Sequence, residues 1–113
     1  MRLSNEFVEK YLGFTQKRIN KLRLQKNDSA AKMSQYIGLN DAYVSRIESN
    51  ERTPSLEALF AICDFLGVTP HEFFDENNPD PPIIKAIVEN LKLLSDEGRA
   101  SILSITNGLA GNK

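Results

Sequence analysis

The chain has 113 residues, 41% of them hydrophobic and 26% charged, which is enough for one small folded domain and an extension. Its single cysteine excludes an intramolecular disulfide, no apolar run approaches the roughly 20 residues that span a bilayer, and the N-terminus lacks the apolar core of a signal peptide. The net charge of −1 does not by itself favour a nucleic acid partner, so composition alone predicts only a cytoplasmic protein without a metal cluster.

Two helices are predicted in the N-terminal quarter of the chain. In the first, within residues 1–13, apolar side chains recur at every fourth position: Leu3, Phe7 and Tyr11. Gly13 is a candidate interruption of this helix. Residues 15–26 then predict a basic helix with Ile19 facing inward, closed by Asn27 in a left-handed conformation.

Residues 30–47 carry the most informative pattern of the chain. Their apolar positions fall on both sides of a break: Met33, Ile37, Leu39, Val44 and Ile47. Gly38 marks the break, since glycine adopts a positive φ without steric cost, and Asn40 is a candidate N-cap for the helix that follows. The small residue Ser34 stands where the two helices would cross. Two short helices joined by a turn of about four residues predict a helix-turn-helix.

Cap residues mark the other helix starts. The candidate N-caps are Ser29, Ser55, Thr69 and Ser95. An apolar helix follows Ser55 and ends at Gly67, and a capping box with proline at the first helical position opens a short helix through Phe74. Residues 76–82 are predicted as a proline-rich linker, because acids, an asparagine pair and three prolines disfavour a packed element. No β-strand pattern occurs, so we expect an all-α fold.

Residues 83–113 are predicted to form a second helical segment. Its first helix carries a broad apolar stripe: Ile83, Ile84, Ile87, Val88, Leu91 and Leu94. A second helix follows Ser95, with apolar residues at helical spacing through Leu109. The stripe could pack back onto the chain's own domain, but the prolines detach it, so we expect it to be a homodimer contact.

Charge is distributed unevenly along the chain. Residues 10–52 contain nine Lys or Arg and four Asp or Glu, a net charge of +5, so the remaining residues sum to −6. A basic stretch around a helix-turn-helix is compatible with DNA binding, although a solvated helix face would carry the same charges.

Four stretches follow one another in a distinctive order and spacing: RINKLR at 18–23, IGLNDAYVSRIE at 37–48, RTPSLEAL at 52–59 and FLGVTPHEFFD at 65–75. Together they resemble the Xre/Cro-type, lambda-repressor-like family. The resemblance implies a five-helix DNA-binding domain over residues 14–75, which the segments 1–13 and 83–113 flank. It also implies that Arg23 of the first helix pairs with Glu48 at the end of the third, and we expect this pair to be structural.

The resemblance places the third helix, residues 40–49, in the major groove of DNA. Its candidate DNA contacts are Asn40, Asp41, Ala42, Tyr43, Ser45, Arg46 and Ser49, and the candidate backbone contacts are Lys17, Lys32 and Arg52. Arg46 could form two hydrogen bonds with guanine or contact a phosphate, and Tyr43 could touch DNA or support the motif from inside. We expect a dimeric, sequence-specific repressor that binds double-stranded DNA and acts by occupying an operator.

Two residues depart from the family pattern. Ala30 stands where a glutamine usually opens the second helix, and Asp41 puts a negative charge on the side that approaches DNA. These departures favour an alternative hypothesis, a protein-interaction module such as an antitoxin or an adaptor with weak or lost DNA binding. An enzyme is not predicted, since His71 and Cys63 are the single histidine and cysteine and no glycine-rich phosphate loop is present. We therefore expect no cofactor.

Overall fold

The computed structural model describes residues 5–112. Residues 1–4 and residue 113 lie outside it, and so does Leu3, an apolar position of the first predicted helix. The described part contains seven helices and no strand, which confirms the all-α prediction. The helices are α1 Glu6–Lys26, α2 Ala30–Tyr36, α3 Tyr43–Glu48, α4 Leu56–Leu66, α5 Pro70–Phe73, α6 Pro81–Lys92 and α7 Asp96–Leu109. None of the helices found between residues 5 and 112 is both long and apolar enough to cross a membrane. The chain divides into two compact units, Met1–Pro81 and Pro82–Lys113.

The core of the first unit is built from the inward faces of α1 to α5. Ile19 of α1, Met33 of α2 and Val44 of α3 are completely buried, whereas Leu39 lies in the turn and is exposed. The other buried apolar side chains are Leu22, Tyr43, Ile47, Ala58, Leu59, Ile62, Cys63, Phe65, Leu66, Val68 and Phe73. Burial raises the pKa of the Cys63 thiol to about 11, so it stays protonated and unreactive at neutral pH.

α1 is one continuous helix, which corrects the two helices predicted for this stretch. Asn5 caps its start, where the asparagine side chain accepts a hydrogen bond from the backbone N–H of Val8 at 3.0 Å. Gly13 does not interrupt the helix, because one internal glycine costs only about 1 kcal/mol and the favourable residues on both sides outweigh it. The predicted boundary after residue 13 therefore falls inside α1.

Of the predicted helix N-caps, all but Asn40 are present. The residues whose side chains accept a hydrogen bond from the backbone N–H three positions later are Ser29, Ser55, Thr69 and Ser95. Glu72 completes the capping box by accepting a hydrogen bond from the backbone N–H of Thr69 at 2.8 Å. Asn27 and Gly67 adopt positive φ values of 62° and 72° and close α1 and α4. These caps satisfy backbone groups that helix ends leave without partners.

α3 begins three residues later than predicted. The Asn40 side chain accepts a hydrogen bond from the backbone N–H of Ala42 at 2.9 Å, which makes a turn rather than a helix N-cap. Ala42 occupies the N-cap position without a side-chain hydrogen bond, and Tyr43 is the first helical residue. The predicted helix 40–49 is therefore Tyr43–Glu48, because an asparagine can bond its own backbone two residues on and compete with the helix.

Arg18 anchors the chain that follows α5. It is 5% exposed, and its guanidinium donates hydrogen bonds at 2.7 to 3.3 Å to four carbonyl oxygens, those of Glu72, Phe73, Asp75 and Asn78. Burial lowers the pKa of Arg18, against the raising effect of nearby carboxylates. The segment 76–82 is thus not the unpacked linker predicted, since Asn78 is anchored and the buried Pro81 begins α6. Proline fits there because the first turn of a helix does not use its N–H.

The second unit consists of α7 and nearly all of α6. None of the residues described between 82 and 112 is buried. Leu91 and Ile102 are half-buried. The other nine large apolar side chains are between 38% and 85% exposed: Ile83, Ile84, Ile87, Val88, Leu93, Leu94, Leu103, Ile105 and Leu109. Isolated helices of this length are marginal in water, and two of them without a core do not make a stable fold.

Gly13→Ala should raise the free energy of unfolding by about 1 kcal/mol, measured by urea denaturation followed by circular dichroism. Alanine restricts the unfolded chain, and the added methyl group meets no atom within 4 Å. Gly67→Ala is the matched control, because that site is equally open but has a φ of +72°, so the same change should destabilise the fold. A destabilised Gly13→Ala protein would contradict a continuous α1.

Candidate nucleic-acid interface

Ser34 joins the two helices of the motif. Its hydroxyl donates a hydrogen bond to the carbonyl of Ala30 at 2.8 Å and accepts one from the backbone N–H of Val44 at 3.0 Å. The side chain is fully buried, in a core that includes Met33 and Ile47. The N–H of Val44 belongs to the first turn of α3 and has no partner inside that helix. The bond from this N–H therefore sets where α3 starts relative to α2.

Glu48 anchors the other end of α3 to α1. Its carboxylate accepts two hydrogen bonds from the Arg23 guanidinium, at 2.8 and 2.7 Å, and one from the Asn20 amide at 2.8 Å. The Gln16 amide donates to the backbone carbonyl of Glu48 at 2.6 Å. The side chains of Arg23 and Glu48 are 13% and 10% exposed, so water barely reaches the ion pair. The hydrogen bond with Glu48 raises the pKa of Arg23 and outweighs the lowering effect of burial.

One face of α3 stays open to solvent. This open face consists of residues spaced by three and four positions: Ala42, Ser45, Arg46 and Ser49. The hydroxyls of Ser45 and Ser49 bond locally, to the Ala42 carbonyl at 3.0 Å and to the Glu51 carboxylate at 2.6 Å. The guanidinium of Arg46 forms no hydrogen bond or ion pair with any residue between 5 and 112. An arginine in this state can bind a guanine edge or a phosphate.

Tyr43 is buried and supports Arg52. The tyrosine is 6% exposed, its hydroxyl accepts a hydrogen bond from the backbone N–H of Ser55 at 3.4 Å, and the Arg52 guanidinium lies 4.5 Å from its ring centroid. Of the two roles left open for Tyr43, burial favours internal support over a DNA contact. An open cavity of about 590 Å³ is lined by Arg46, Glu51, Arg52 and Thr53. The two arginines therefore lie at one place on the surface.

The turn before α3 holds Asp41. Its carboxylate accepts a hydrogen bond at 3.2 Å from the side-chain amide of Gln35, which lies at the end of α2. Both side chains are exposed. The negative charge of Asp41 thus stands beside the N-terminal end of the open face of α3.

The family model for helix-turn-helix domains matches residues 19–73, which run from the inward face of α1 to the end of α5. Over just under half of the chain, these residues match the Xre/lambda-repressor-like helix-turn-helix family. A domain of this family supports a DNA-binding transcriptional regulator in kind, and the family is typically not enzymatic. No curated protein and no solved structure matches the chain significantly.

The three predicted backbone contacts have different surroundings. Arg52 lies beside Arg46, and Lys32 forms an ion pair with Asp28 at 2.9 Å. A different open cavity, of about 600 Å³, is lined by Glu9, Lys10, Gly13, Phe14, Lys17, Arg18, Lys21 and Glu76. Lys17 is therefore not brought together with the two arginines.

The sequence analysis assigned no hydrogen-bonding role to four polar residues. These are Gln16 and Asn20 of α1, and Ser34 and Gln35 of α2. Gln16, Asn20 and Arg23 are spaced by four and three positions, so a polar stripe on α1 was visible in the sequence. The stripe alone does not identify its partner, because Glu48 lies 25 to 32 residues further along the chain. The family resemblance predicted Glu48 as the partner of Arg23, but not of Gln16 or Asn20. Ser34 was recognised as a small residue at the helix crossing, but its two hydrogen bonds were not anticipated.

Glu48→Gln should lower the free energy of unfolding by about 3 kcal/mol, because it leaves the shielded guanidinium of Arg23 without a charged partner. Urea denaturation measures the loss. Glu51→Gln is the control, since that carboxylate is exposed and the same change there should cost about 0.5 kcal/mol or less. Equal effects of the two substitutions would contradict the anchoring role of Glu48.

Proposed function

We propose that the protein is a sequence-specific repressor that binds double-stranded DNA as a dimer and acts by occupying its operator. The observation that carries the proposal is the open face of α3, which Ser34 and Glu48 hold at both ends while Arg46 has no partner within residues 5–112. The major groove of B-DNA admits an α-helix, whose exposed side chains then meet base edges. Repression needs no further chemistry, because a bound repressor occupies DNA that another protein would use.

The candidate contacts divide into base readers and backbone contacts. Arg46 donates two hydrogen bonds to O6 and N7 of a guanine in this proposal, with Ser45 and Ser49 beside it on the open face. Arg52, stacked on Tyr43, contacts the phosphate backbone next to the same groove. The remaining candidates are Asn40, Asp41 and Ala42 at the start of α3, and Lys32 and Lys17 for the backbone.

The second unit supports the dimer. The six apolar residues predicted as the contact lie on α6 or directly after it, and no described residue of this unit is buried. A second copy carries the same apolar stripe, so a two-fold contact through α6 buries both stripes at once. To bind a palindromic operator, such a dimer needs its two α3 helices about 34 Å apart.

Asp41 favours a second candidate function, a protein-interaction module such as an antitoxin or an adaptor. The negative charge of Asp41 repels phosphates, and Ala30 offers no side-chain hydrogen bond to the DNA backbone. Salt dependence distinguishes the two candidates. The affinity of a DNA-binding protein falls with the logarithm of salt concentration, with a slope near −0.9 per phosphate neutralised, whereas a module without DNA binding has no such slope.

Selection from a random duplex library at about 100 mM salt should recover a two-fold-symmetric site with half-sites about 10 base pairs apart. Arg46→Ala should lose the preference for guanine at one position of each half-site, a cost of about 1–3 kcal/mol. Arg52→Ala is the comparison, because a lost phosphate contact weakens binding to all sequences alike. No enrichment from protein shown to be folded by circular dichroism would reject the repressor and favour the interaction module.

Ile87→Asp should convert the dimer into a monomer in sedimentation equilibrium, because it places a charge in the middle of the apolar stripe of α6. Lys85→Ala is the control, because it changes the net charge by the same amount as Ile87→Asp. Lys85 lies on the polar side of α6, so its substitution should leave the dimer intact. The affinity of Ile87→Asp for the selected operator should fall with the loss of the second half-site. A dimeric Ile87→Asp protein would contradict the contact.

A further inference from the structure

We propose that Gln35 positions Asp41 to accept a hydrogen bond from the exocyclic amine of cytosine, so that each operator half-site contains a cytosine read by Asp41. The inference rests on the proposed function, because it assigns a base preference to the same DNA-binding face. It names a residue outside α3 that contributes to that preference.

The contact lies where α2 leads into α3. Gln35 Nε2 donates a hydrogen bond to Asp41 Oδ1 at 3.2 Å. The turn that Asn40 makes with the backbone N–H of Ala42, at 2.9 Å, fixes the backbone on both sides of Asp41. Asp41 stands four residues before Ser45, next to the open face of α3. The other carboxylate oxygen, Oδ2, forms no hydrogen bond with the residues that the structure describes.

The chemistry of a carboxylate selects among the four bases. An ionised carboxylate accepts hydrogen bonds and donates none. In the major groove guanine presents two acceptors and thymine presents an acceptor and a methyl group, so neither can bond to Asp41. Adenine offers an amine, but its N7 acceptor lies beside it and repels the second carboxylate oxygen. Cytosine presents its N4 amine without an acceptor beside it on the same base, and is therefore the base that Asp41 fits.

Gln35 acts through Asp41 and is a positioning residue. A free carboxylate close to DNA would turn away from the phosphates, because like charges repel. The amide of Gln35 holds Oδ1 and leaves Oδ2 available to the base. Because the amide of Gln35 is uncharged, it leaves the negative charge of the carboxylate in place. Guanine and thymine, which offer no hydrogen-bond donor in the major groove, therefore still cannot bind Asp41.

The experiment compares the base preferences of the wild type, Asp41→Asn and Gln35→Ala by selection from a random duplex library, followed by titration of duplexes that differ at the selected position. Asp41→Asn should change the preferred base from cytosine to adenine, because an asparagine amide bonds N6 and N7 of adenine together. Gln35→Ala should reduce the preference for cytosine about tenfold and leave the guanine preference of Arg46 unchanged. Gln25→Ala, the same substitution at an exposed position of α1, should leave every base preference unchanged.

Each outcome supports or overturns one part of the inference. A change from cytosine to adenine supports the role of Asp41, since misfolding does not create a new preference. A wild-type site without cytosine, or an Asp41→Asn protein with unchanged preferences, overturns that role. A Gln35→Ala protein that keeps the full cytosine preference overturns the positioning role. Failure of the wild type to select any site overturns the proposed function itself, and this inference with it.

Discussion

The ion pair between Arg23 and Glu48 connects the helix that supports the first unit to the helix that faces solvent. Glu48 is the last residue of α3, and Asn20 and Gln16 add hydrogen bonds to the same residue. A helix of six residues does not hold its shape alone in water. The direction of α3 therefore depends on this anchor at one end and on the bond between Ser34 and Val44 at the other. The polar groups behind the open face therefore already have partners.

The two units bury apolar side chains to different extents. The first unit encloses a continuous core from Ile19 to Phe73, so its helices support one another. The second has apolar residues at equally regular spacing, yet none described between 82 and 112 is buried. Helical periodicity shows which side of a helix is apolar, but it does not show what covers that side. The apolar stripe of α6 is thus a property of the sequence, whereas the homodimer contact assigned to it is our proposal.

Interactions that act within about four residues were predictable from the sequence. The structure contains the predicted caps at Ser55 and Thr69 and the predicted apolar face of α4. All three depend on residues close together in the sequence. Predictions failed where two local preferences competed, as at Asn40, whose side chain bonds a turn rather than the start of a helix. They also failed where a partner is distant in sequence and the family resemblance did not supply it. The contact of Gln16 with Glu48 spans 32 residues, and no local pattern identifies such a pair.

Arg18 and Arg23 lie five residues apart on α1, but different chemistry stabilises their charges. Arg23 faces a carboxylate, whereas Arg18 is surrounded by four neutral carbonyl oxygens. The contact of Arg23 with Glu48 therefore depends on the identity of one side chain, whereas the contacts of Arg18 depend on the path of the backbone. A single substitution at position 48 removes the carboxylate from α3. No single side-chain substitution in the chain after α5 removes the carbonyl oxygens that bind Arg18, because every residue carries one.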